Sequence, residues 1–201
     1  MPETTHSAEI ARVARTTQSA RIDVTKVAPE AYQAMAGLGK YVRQSGLEQP
    51  LLDLVRMRSS QINGCAYCLD MHSKDARAGG ETEQRLYALN AWRETPFYTE
   101  RERAALAWTE AVTLVSQGHV PDEVYQIARR HFSEKEIVDL TLAVGEINAW
   151  NRIAISLRAV PGTYQPASHA KAAAAPTTRW ARQSRGWPRA FAAIRFSDVL
   201  Q

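Results

Sequence analysis

Apolar residues recur at helical spacing along most of the chain, in segments that are separated by turn residues. From Pro29 to Ser45 the apolar positions fall three and four residues apart, and the pattern stops at Gly46. A second such segment runs from about Pro50 to the Asn63-Gly64 turn signal. The chain has no stretch with the strict alternation of a half-buried strand. The pattern therefore predicts an all-α fold.

Further helical segments follow, and two of them open with a capping box, in which Thr or Ser precedes Glu by three residues. The predicted segments run from Cys65 to Gly79-Gly80, from Thr82 to about Trp92, from Thr99 to just before Gly118, from Pro121 to about His131, and from Ser133 to roughly Arg158. Together with the first two segments they predict a bundle of about six to eight helices.

The two ends of the chain differ in composition from this helical region. The polar composition of residues 1–24 predicts an N-terminal arm. Residues 25–162 form the predicted helical domain. Residues 163–201 carry six basic side chains against one aspartate, a net charge of +5, so the formal charge of +4 leaves −1 for the rest. They predict an irregular, basic C-terminal extension, either flexible or docked on a neighbouring subunit.

The sequence predicts a cytoplasmic protein. It has no apolar run of about 18 or more residues, and its first residues lack the basic and apolar regions of a signal peptide. In the cytoplasm thiols are kept reduced, so two neighbouring cysteines are more often catalytic or metal-binding than a structural disulfide.

The chain contains two cysteines, Cys65 and Cys68, and His72 follows four residues after the second. On a helix these spacings place all three side chains on one face, where the imidazole can reach the nearer sulfur. A deprotonated sulfur is both a nucleophile and a metal ligand, and a helix start or a neighbouring base favours it. This stretch is therefore the candidate site.

Three other interpretations of the cysteines compete with a redox pair. Zinc is conceivable, with Asp53 as a fourth ligand, but structural zinc sites usually take two close pairs, and the chain has no second one. Haem attachment requires His directly after the second cysteine, where Leu69 stands. A purely structural role, as two small buried residues, stays open. A redox dithiol is favoured over all three.

The residues around the cysteines resemble the alkylhydroperoxidase D-like (AhpD-like) branch of the carboxymuconolactone decarboxylase family. Its signature is an acidic residue about a dozen positions before Cys-x-x-Cys-x-x-x-His, matched here by Asp53, Cys65, Cys68 and His72. The similarity covers roughly residues 25–160. It implies an AhpD-like helical bundle, a homo-oligomer (a trimer, or a hexamer built from trimers), and thiol-based hydroperoxide reduction without metal, haem or flavin.

The resemblance implies that Asp53, Cys65, Cys68 and His72 are catalytic. Asp53 is expected to orient His72, which takes a proton from Cys68 one turn away. Cys68 then attacks a hydroperoxide, and Cys65 condenses with the resulting sulfenic acid to a disulfide. An external dithiol, a protein-bound lipoyl group or a thioredoxin-like protein, is expected to reduce that disulfide. The helix start alone would favour Cys65 as the more acidic thiol, whereas the His72 spacing and the resemblance favour Cys68.

Two residues depart from the family pattern. Asp53 is one methylene shorter than the Glu that is common at that position, so its reach to His72 is in question. Tyr67 replaces a His that the founding peroxidase has immediately before its second cysteine. Both departures predict a difference in substrate or efficiency.

Two other functions compete with hydroperoxide reduction. The lyase reaction that names the family needs cationic residues to hold carboxylates and does not need paired thiols, so the intact motif argues against it. A non-catalytic oligomeric module with a nucleic-acid-binding basic tail is the other alternative. Scattered arginines without an aromatic-basic pattern on a folded element give it weak support.

Several other residues have structural interpretations. Tyr67 and the tryptophans at helical spacing are expected to pack in the core or at an interface rather than to cradle a substrate. Glu110 and Glu146 lie on otherwise apolar helices and are read as surface or interface pairs more readily than as second acids near the thiols. Gln61-Ile62-Asn63 and Glu146-Ile147-Asn148 stand 85 residues apart, and one interpretation of this similarity is a duplicated helical hairpin.

Overall fold

The turn residues seen in the sequence separate a series of helices. The computed structural model describes residues 19–166, and within that range it contains nine α helices, one 3-10 helix and no strand. Their bounds are α1 Val24–Val27, α2 Pro29–Arg43, α3 Gln49–Asn63, α4 Ala66–Ala78, α5 Glu83–Ala88, the 3-10 helix Leu89–Glu94, α6 Glu100–Thr113, α7 Val115–Gly118, α8 Asp122–His131 and α9 Glu134–Leu157. The predicted all-α bundle is confirmed.

Both predicted capping boxes are present. The Thr99 hydroxyl accepts a hydrogen bond from the backbone N–H of Glu102 at 3.2 Å, and the Glu102 carboxylate accepts one from the Thr99 N–H at 2.7 Å. Ser133 and Glu136 make the same pair of bonds at the start of α9. These bonds satisfy backbone donors that a helix start otherwise leaves unpaired.

Two predicted helices are interrupted. The segment predicted from Thr99 to just before Gly118 breaks at Leu114, where φ is −99° and ψ is 29°, and it continues only as the short α7. The break falls among β-branched residues, which have low helix propensity. The segment predicted from Thr82 to about Trp92 is a short α helix followed by a 3-10 helix, with non-helical backbone at Ala91.

Helix α3 occupies the centre of the fold. It packs against α4, α6 and α9, and it buries polar as well as apolar residues. Its buried apolar residues are Leu51, Leu52, Leu54, Val55 and Met57. Nine of its fifteen residues are buried, so α3 lies inside the bundle rather than along its edge.

Three hydrophobic clusters surround α3. The first combines α3 with α2, α6, α8 and α9, and includes Val42, Leu52, Trp108, Phe132 and Leu140. The second lies towards α5 and the 3-10 helix and includes Leu54, Leu86, Leu89, Trp92 and Leu106. The third is small and contains Cys65, Cys68 and Ile147. The cysteines therefore lie under α9, within the folded core.

The ends of the chain are described only in part. The predicted N-terminal arm up to residue 18 and the predicted basic extension from residue 167 onwards lie outside the described residues. The division of the chain into arm, helical domain and extension stays a prediction. Between residues 19 and 166, each helix is too short or too polar to cross a membrane.

We expect Val42→Ala to lower the free energy of unfolding by about 2 kcal/mol. The substitution removes two buried carbons, worth ~0.8 kcal/mol each, and leaves a cavity. Val42 is 0% exposed and Val27 is 73% exposed, so Val27→Ala is the matched control and should change stability by less than about 0.5 kcal/mol. Urea unfolding followed by circular dichroism measures both. Equal losses would contradict the burial of Val42.

Candidate active site

The turn between α3 and α4 places Cys65 at the start of α4. Helix α3 ends at Gly64, whose φ of 67° and ψ of 33° lie in the left-handed region that favours glycine. The backbone N–H of Cys65 then donates to the carbonyl of Ser60 at 3.0 Å. Cys65 is the N-cap of α4, and its Sγ accepts a hydrogen bond from the Cys68 N–H at 3.4 Å. A negative charge on this sulfur is stabilised by the helix start.

The two thiols differ in acidity. Hydrogen bonding from the Cys68 side chain, which outweighs burial, lowers the pKa of Cys65 to about 7. The same hydrogen bond, together with burial, raises the pKa of Cys68. Both thiols are free, at 1% and 2% exposure. Near neutral pH a large fraction of Cys65 is therefore ionised, and Cys68 is the thiol that donates to it.

His72 lies one turn after Cys68 on α4 and is buried. Burial, and to a lesser extent the positive charge of Arg56, lowers the pKa of His72 to about 3. The imidazole is therefore neutral near pH 7. Within residues 19–166, neither Asp53 nor Cys68 forms a hydrogen bond with it.

Asp53 is buried on α3, and its contacts lie along its own helix. Its Oδ1 accepts a hydrogen bond from Gln49 Nε2 at 2.7 Å and lies 3.9 Å from Arg56 Nη1. Burial raises the pKa of Asp53, although Gln49 and Arg56 oppose the shift. Asp53 therefore contacts Gln49 and Arg56, one turn before and one turn after it on α3, and in the described region it makes no direct hydrogen bond to His72.

A buried ion pair connects α3 to α9. Arg56 Nη2 lies 3.5 Å from Glu146 Oε2, and both side chains are 7% exposed. Trp150 Nε1 donates to Glu146 Oε1 at 3.1 Å. Glu146 is therefore a buried partner of Arg56 rather than a surface pair. Glu110, the other acid on an apolar helix, pairs with Arg58 at 2.8 Å.

A chain of side-chain amides also joins these two helices. Asn63 Nδ2 donates to Asn148 Oδ1 at 3.0 Å and to Asn151 Oδ1 at 2.8 Å. Asn151 is fully buried, and its Nδ2 donates to Ser60 Oγ at 3.1 Å. Asn63 and Asn148 occupy equivalent positions in the two similar segments noted in the sequence. These two equivalent residues are therefore hydrogen-bonded to each other.

Aromatic side chains border the sulfurs on another side. Tyr67 and Trp150 are partly buried and pack against the cluster formed by Cys65, Cys68 and Ile147. Tyr32 meets Trp150 edge to face, with ring centroids 5.5 Å apart. The buried Trp92 and Trp108, by contrast, belong to the two larger clusters, as predicted.

The described region has a surface cavity that the four predicted site residues do not line, and it has no metal-binding cluster. Residues 19–166 contain no group of three or more His, Cys, Asp or Glu side chains placed to hold a metal ion. A surface cavity of about 500 Å³ lies on a different face of α4. It is lined by Met57, Gln61, Leu69, Asp70, Ser73, Arg77, Glu83, Leu86, Tyr87 and Asn90, and thus by none of the four predicted site residues.

The predicted site residues are brought together in part. Cys65 and Cys68 are in contact, and His72 follows on the same helix. Asp53 lies near Arg56, which in turn influences His72. The motif does not include three further groups, namely Arg56, Glu146 and Asn151. For Glu146 the sequence favours a surface or interface pair over a second acid near the thiols. Arg56 follows Asp53 by one turn on a helix whose apolar pattern predicts burial.

Cys68→Ala is expected to raise the midpoint pH of Cys65 ionisation above about 7, because it removes the hydrogen bond that contributes most to the low pKa of Cys65. The ultraviolet absorbance of the thiolate, recorded against pH, measures this. Cys68→Ser keeps a hydroxyl donor and should stay closer to the midpoint of the unsubstituted protein. An unchanged midpoint in Cys68→Ala would show that the two thiols are not coupled.

His72 should make the folded state less stable as the pH falls. The pKa of His72 is lowered from 6.5 to about 3, so the unfolded chain binds a proton in this interval that the folded chain does not. The stabilisation is complete above pH 6.5 and is lost towards pH 3, with a slope of at most about 1.4 kcal/mol per pH unit.

The test is urea unfolding of the His72→Gln variant between pH 7 and pH 5, which should show a shallower loss of stability than the unsubstituted protein. His119→Gln, which replaces an exposed histidine, is the control. If the stability of His72→Gln falls with pH as steeply as that of the unsubstituted protein, the imidazole of His72 is not held neutral by burial.

Comparisons with known proteins point to one family. The model of the carboxymuconolactone decarboxylase family matches residues 29–111. The uncharacterized protein YdfG of Bacillus subtilis (strain 168) is 46% identical over 139 residues, which is 69% of this chain and 95% of YdfG.

Solved structures agree with this assignment. The crystal structure of ATU0492 from Agrobacterium tumefaciens, a protein of unknown function and a candidate AhpD antioxidant defence protein, superposes with a TM-score of 0.71 at 45% identity. The match covers 73% of this chain and 100% of that one. The debrominase Bmp8 superposes with a TM-score of 0.61 at 25% identity, over 67% of this chain and 73% of Bmp8. The chain therefore belongs to the carboxymuconolactone decarboxylase family, among its AhpD-like members.

Proposed function

We propose that the protein is a thiol-dependent hydroperoxide reductase whose redox pair is Cys65 and Cys68. The observation that carries the proposal is the pair of free thiols at the start of α4, where Cys65 Sγ accepts a hydrogen bond from the Cys68 backbone N–H at 3.4 Å. In agreement, hydrogen bonding from Cys68 lowers the pKa of Cys65 to about 7. A thiolate is the nucleophilic form of cysteine. A second thiol in contact with it can convert a sulfenic acid to a disulfide.

In the first step the Cys65 thiolate attacks the distal oxygen of a hydroperoxide. An S–O bond forms, the O–O bond breaks, and the alkoxide leaves and is protonated to an alcohol. In the second step the Cys68 sulfur attacks the sulfenic sulfur, and hydroxide leaves and is protonated to water. Hydroperoxide and two thiols thus become alcohol, water and a disulfide. The proposal departs from the sequence-based choice of Cys68 as the attacking sulfur, because the pKa order favours Cys65.

His72 is the proposed acceptor of the Cys68 proton in the second step. Once Cys65 is oxidised it no longer carries the negative charge that contributes to the raised pKa of Cys68. The neutral imidazole one turn away on the same helix is the group placed to accept that proton, although burial makes it a weaker base than an exposed histidine. Asp53 is proposed to act through Arg56, because its carboxyl group lies 3.9 Å from the guanidinium whose positive charge helps to lower the pKa of His72.

We further propose that an external dithiol, either a protein-bound lipoyl group or a thioredoxin-like protein, reduces the Cys65–Cys68 disulfide. No metal or bound cofactor takes part in these steps. The protein is proposed to act in the cytoplasm as a homo-oligomer, either a trimer or a hexamer built from trimers.

The lyase reaction that names the family is less well supported by the site. Such a reaction needs a cation that can bind a substrate carboxylate. Arg56, the buried cation nearest to this chemistry, is already paired with Asp53 and Glu146. Paired thiols have no necessary part in a decarboxylation.

Reductive debromination of an aromatic substrate is a second candidate function. It is favoured by the likeness to the debrominase Bmp8 and by the aromatic side chains of Tyr67 and Trp150 beside the sulfurs. Two thiols would supply the two electrons: the aryl C–Br bond is replaced by C–H, bromide leaves, and the disulfide forms. Release of bromide from a bromopyrrole by the reduced protein distinguishes this reaction from hydroperoxide reduction.

Stopped-flow mixing of the reduced protein with hydrogen peroxide, tert-butyl hydroperoxide and cumene hydroperoxide should consume two thiols per chain faster than free cysteine is oxidised. Thiol counts before and after the reaction measure the stoichiometry. Cys68→Ser should stop at a sulfenic acid on Cys65 that dimedone traps, because the resolving thiol is absent.

Cys65→Ser is the matched control and should lose the rapid reaction. A dimedone adduct on Cys68 in Cys65→Ser, with none on Cys65 in Cys68→Ser, would reverse the assignment of the two sulfurs. Oxidation no faster than that of free cysteine with every hydroperoxide would refute the proposed function itself.

A further inference from the structure

Asn151 lies on the face of α9 that covers the two sulfurs. Ile147, four residues before it, is buried in one cluster with Cys65 and Cys68, and Ala154, three residues after it, packs against the same cluster. Residues at this spacing share one face of a helix. The side chain of Asn151 is 0% exposed, so it lies between the two residues that contact the dithiol.

Ser60 connects Asn151 to the start of α4 by a second route. The Ser60 carbonyl accepts the backbone N–H of Cys65 at 3.0 Å, and the Ser60 hydroxyl accepts Asn151 Nδ2 at 3.1 Å. One residue of α3 thus holds both Cys65 and the Asn151 amide. The two contacts place the amide near the start of α4.

A series of hydrogen bonds decides which end of the Asn151 amide faces the sulfurs. The carbonyl of Val144 can only accept, and it receives Asn148 Nδ2 at 2.8 Å. Asn148 Oδ1 is therefore turned towards Asn63, whose Nδ2 donates to it at 3.0 Å and to Asn151 Oδ1 at 2.8 Å. Asn151 Oδ1 is occupied by Asn63, so its Nδ2 points the other way, towards Ser60 and the dithiol.

We propose that Asn151 is a further catalytic residue, which donates an N–H hydrogen bond to the reacting sulfur, and that Asn63 is a positioning residue that holds the Asn151 amide in the donating orientation. An amide N–H is a neutral donor that does not titrate, so it stabilises a thiolate across the physiological pH range. In agreement, hydrogen bonding from the Asn151 side chain lowers the pKa of Cys65 and opposes the upward shift in the pKa of Cys68. The inference rests on the proposed thiol chemistry, but its test needs no hydroperoxide.

The experiment measures the ionisation of Cys65 in the reduced full-length protein, by thiolate absorbance against pH and by the rate of alkylation with iodoacetamide at pH 7. Asn151→Asp replaces the donor by an acceptor of the same shape. It should raise the midpoint by about one pH unit or more and slow alkylation at pH 7 about fivefold or more. Asn63→Asp can only accept through its carboxylate, so Asn151 must turn its Nδ2 towards residue 63 and its Oδ1 towards the sulfurs. It should shift the midpoint in the same direction.

Ala66→Asp is the matched control, because it adds the same charge at an exposed position next to Cys65 and leaves the amide chain intact. Its midpoint should rise by less than about half a pH unit, since solvent screens the added charge. The inference is overturned if Asn63→Asp shifts the midpoint no more than Ala66→Asp does. Asn63 is only partly buried, so this comparison decides the matter even if Asn151→Asp does not fold by circular dichroism.

The same measurements separate this inference from the proposed function. If the midpoints shift as expected while the unsubstituted protein fails to reduce every hydroperoxide tested, the Asn151 donor stands and the peroxidase proposal fails. If hydroperoxides are reduced but Asn151→Asp and Asn63→Asp shift the midpoint no more than Ala66→Asp does, the proposed function stands and Asn151 has no part in stabilising the thiolate.

Discussion

The burial of α3 on most of its surface is the constraint on which the rest of the site depends. A buried polar group that is left unpaired costs about 1–3 kcal/mol, so every polar side chain of this helix needs a partner. Asp53 and Arg56 satisfy each other in part, and Arg56 also reaches Glu146 on α9. Ser60 accepts a hydrogen bond from Asn151, which is likewise on α9. These requirements fix α9 over the end of α3, and the dithiol that follows α3 is enclosed beneath it.

The chemistry of the dithiol follows from how the chain leaves α3. Because Gly64 adopts a left-handed conformation, the chain reverses within one residue and Cys65 becomes the N-cap of the next helix. An N-cap side chain faces the first backbone N–H groups of its helix, and Cys65 Sγ accepts one of them. The thiol of Cys68, one turn along, adds a second donor. The difference in acidity between two identical side chains is thus a consequence of their order on the helix.

The local features of this protein could be predicted from its sequence, and the contacts between distant segments could not. Capping boxes, glycine turns and the spacing of Cys65, Cys68 and His72 depend on residues a few positions apart. The all-α class is therefore confirmed, and Cys65 and Cys68 lie in contact as their spacing predicts, while their redox role stays a prediction. The break at Leu114 was missed because the apolar period continues through it. Arg56 with Glu146, and Asn63 with Asn151, are separated by 90 and 88 residues. Neither pair leaves a periodic signal, and only the packing of α9 on α3 brings them together.

The contacts of Asp53 within the described region differ from the arrangement that the motif implies. The Asp53 carboxylate is held along α3 by Gln49 and Arg56, and within residues 19–166 it makes no hydrogen bond to His72. Burial favours the uncharged form of both Asp53 and His72, because it raises the pKa of the first and lowers that of the second. Arg56 and Glu146 pair with each other, so their charges largely cancel. In this buried region a net negative charge is therefore most stable on the Cys65 sulfur, because N–H donors surround that sulfur at the start of α4.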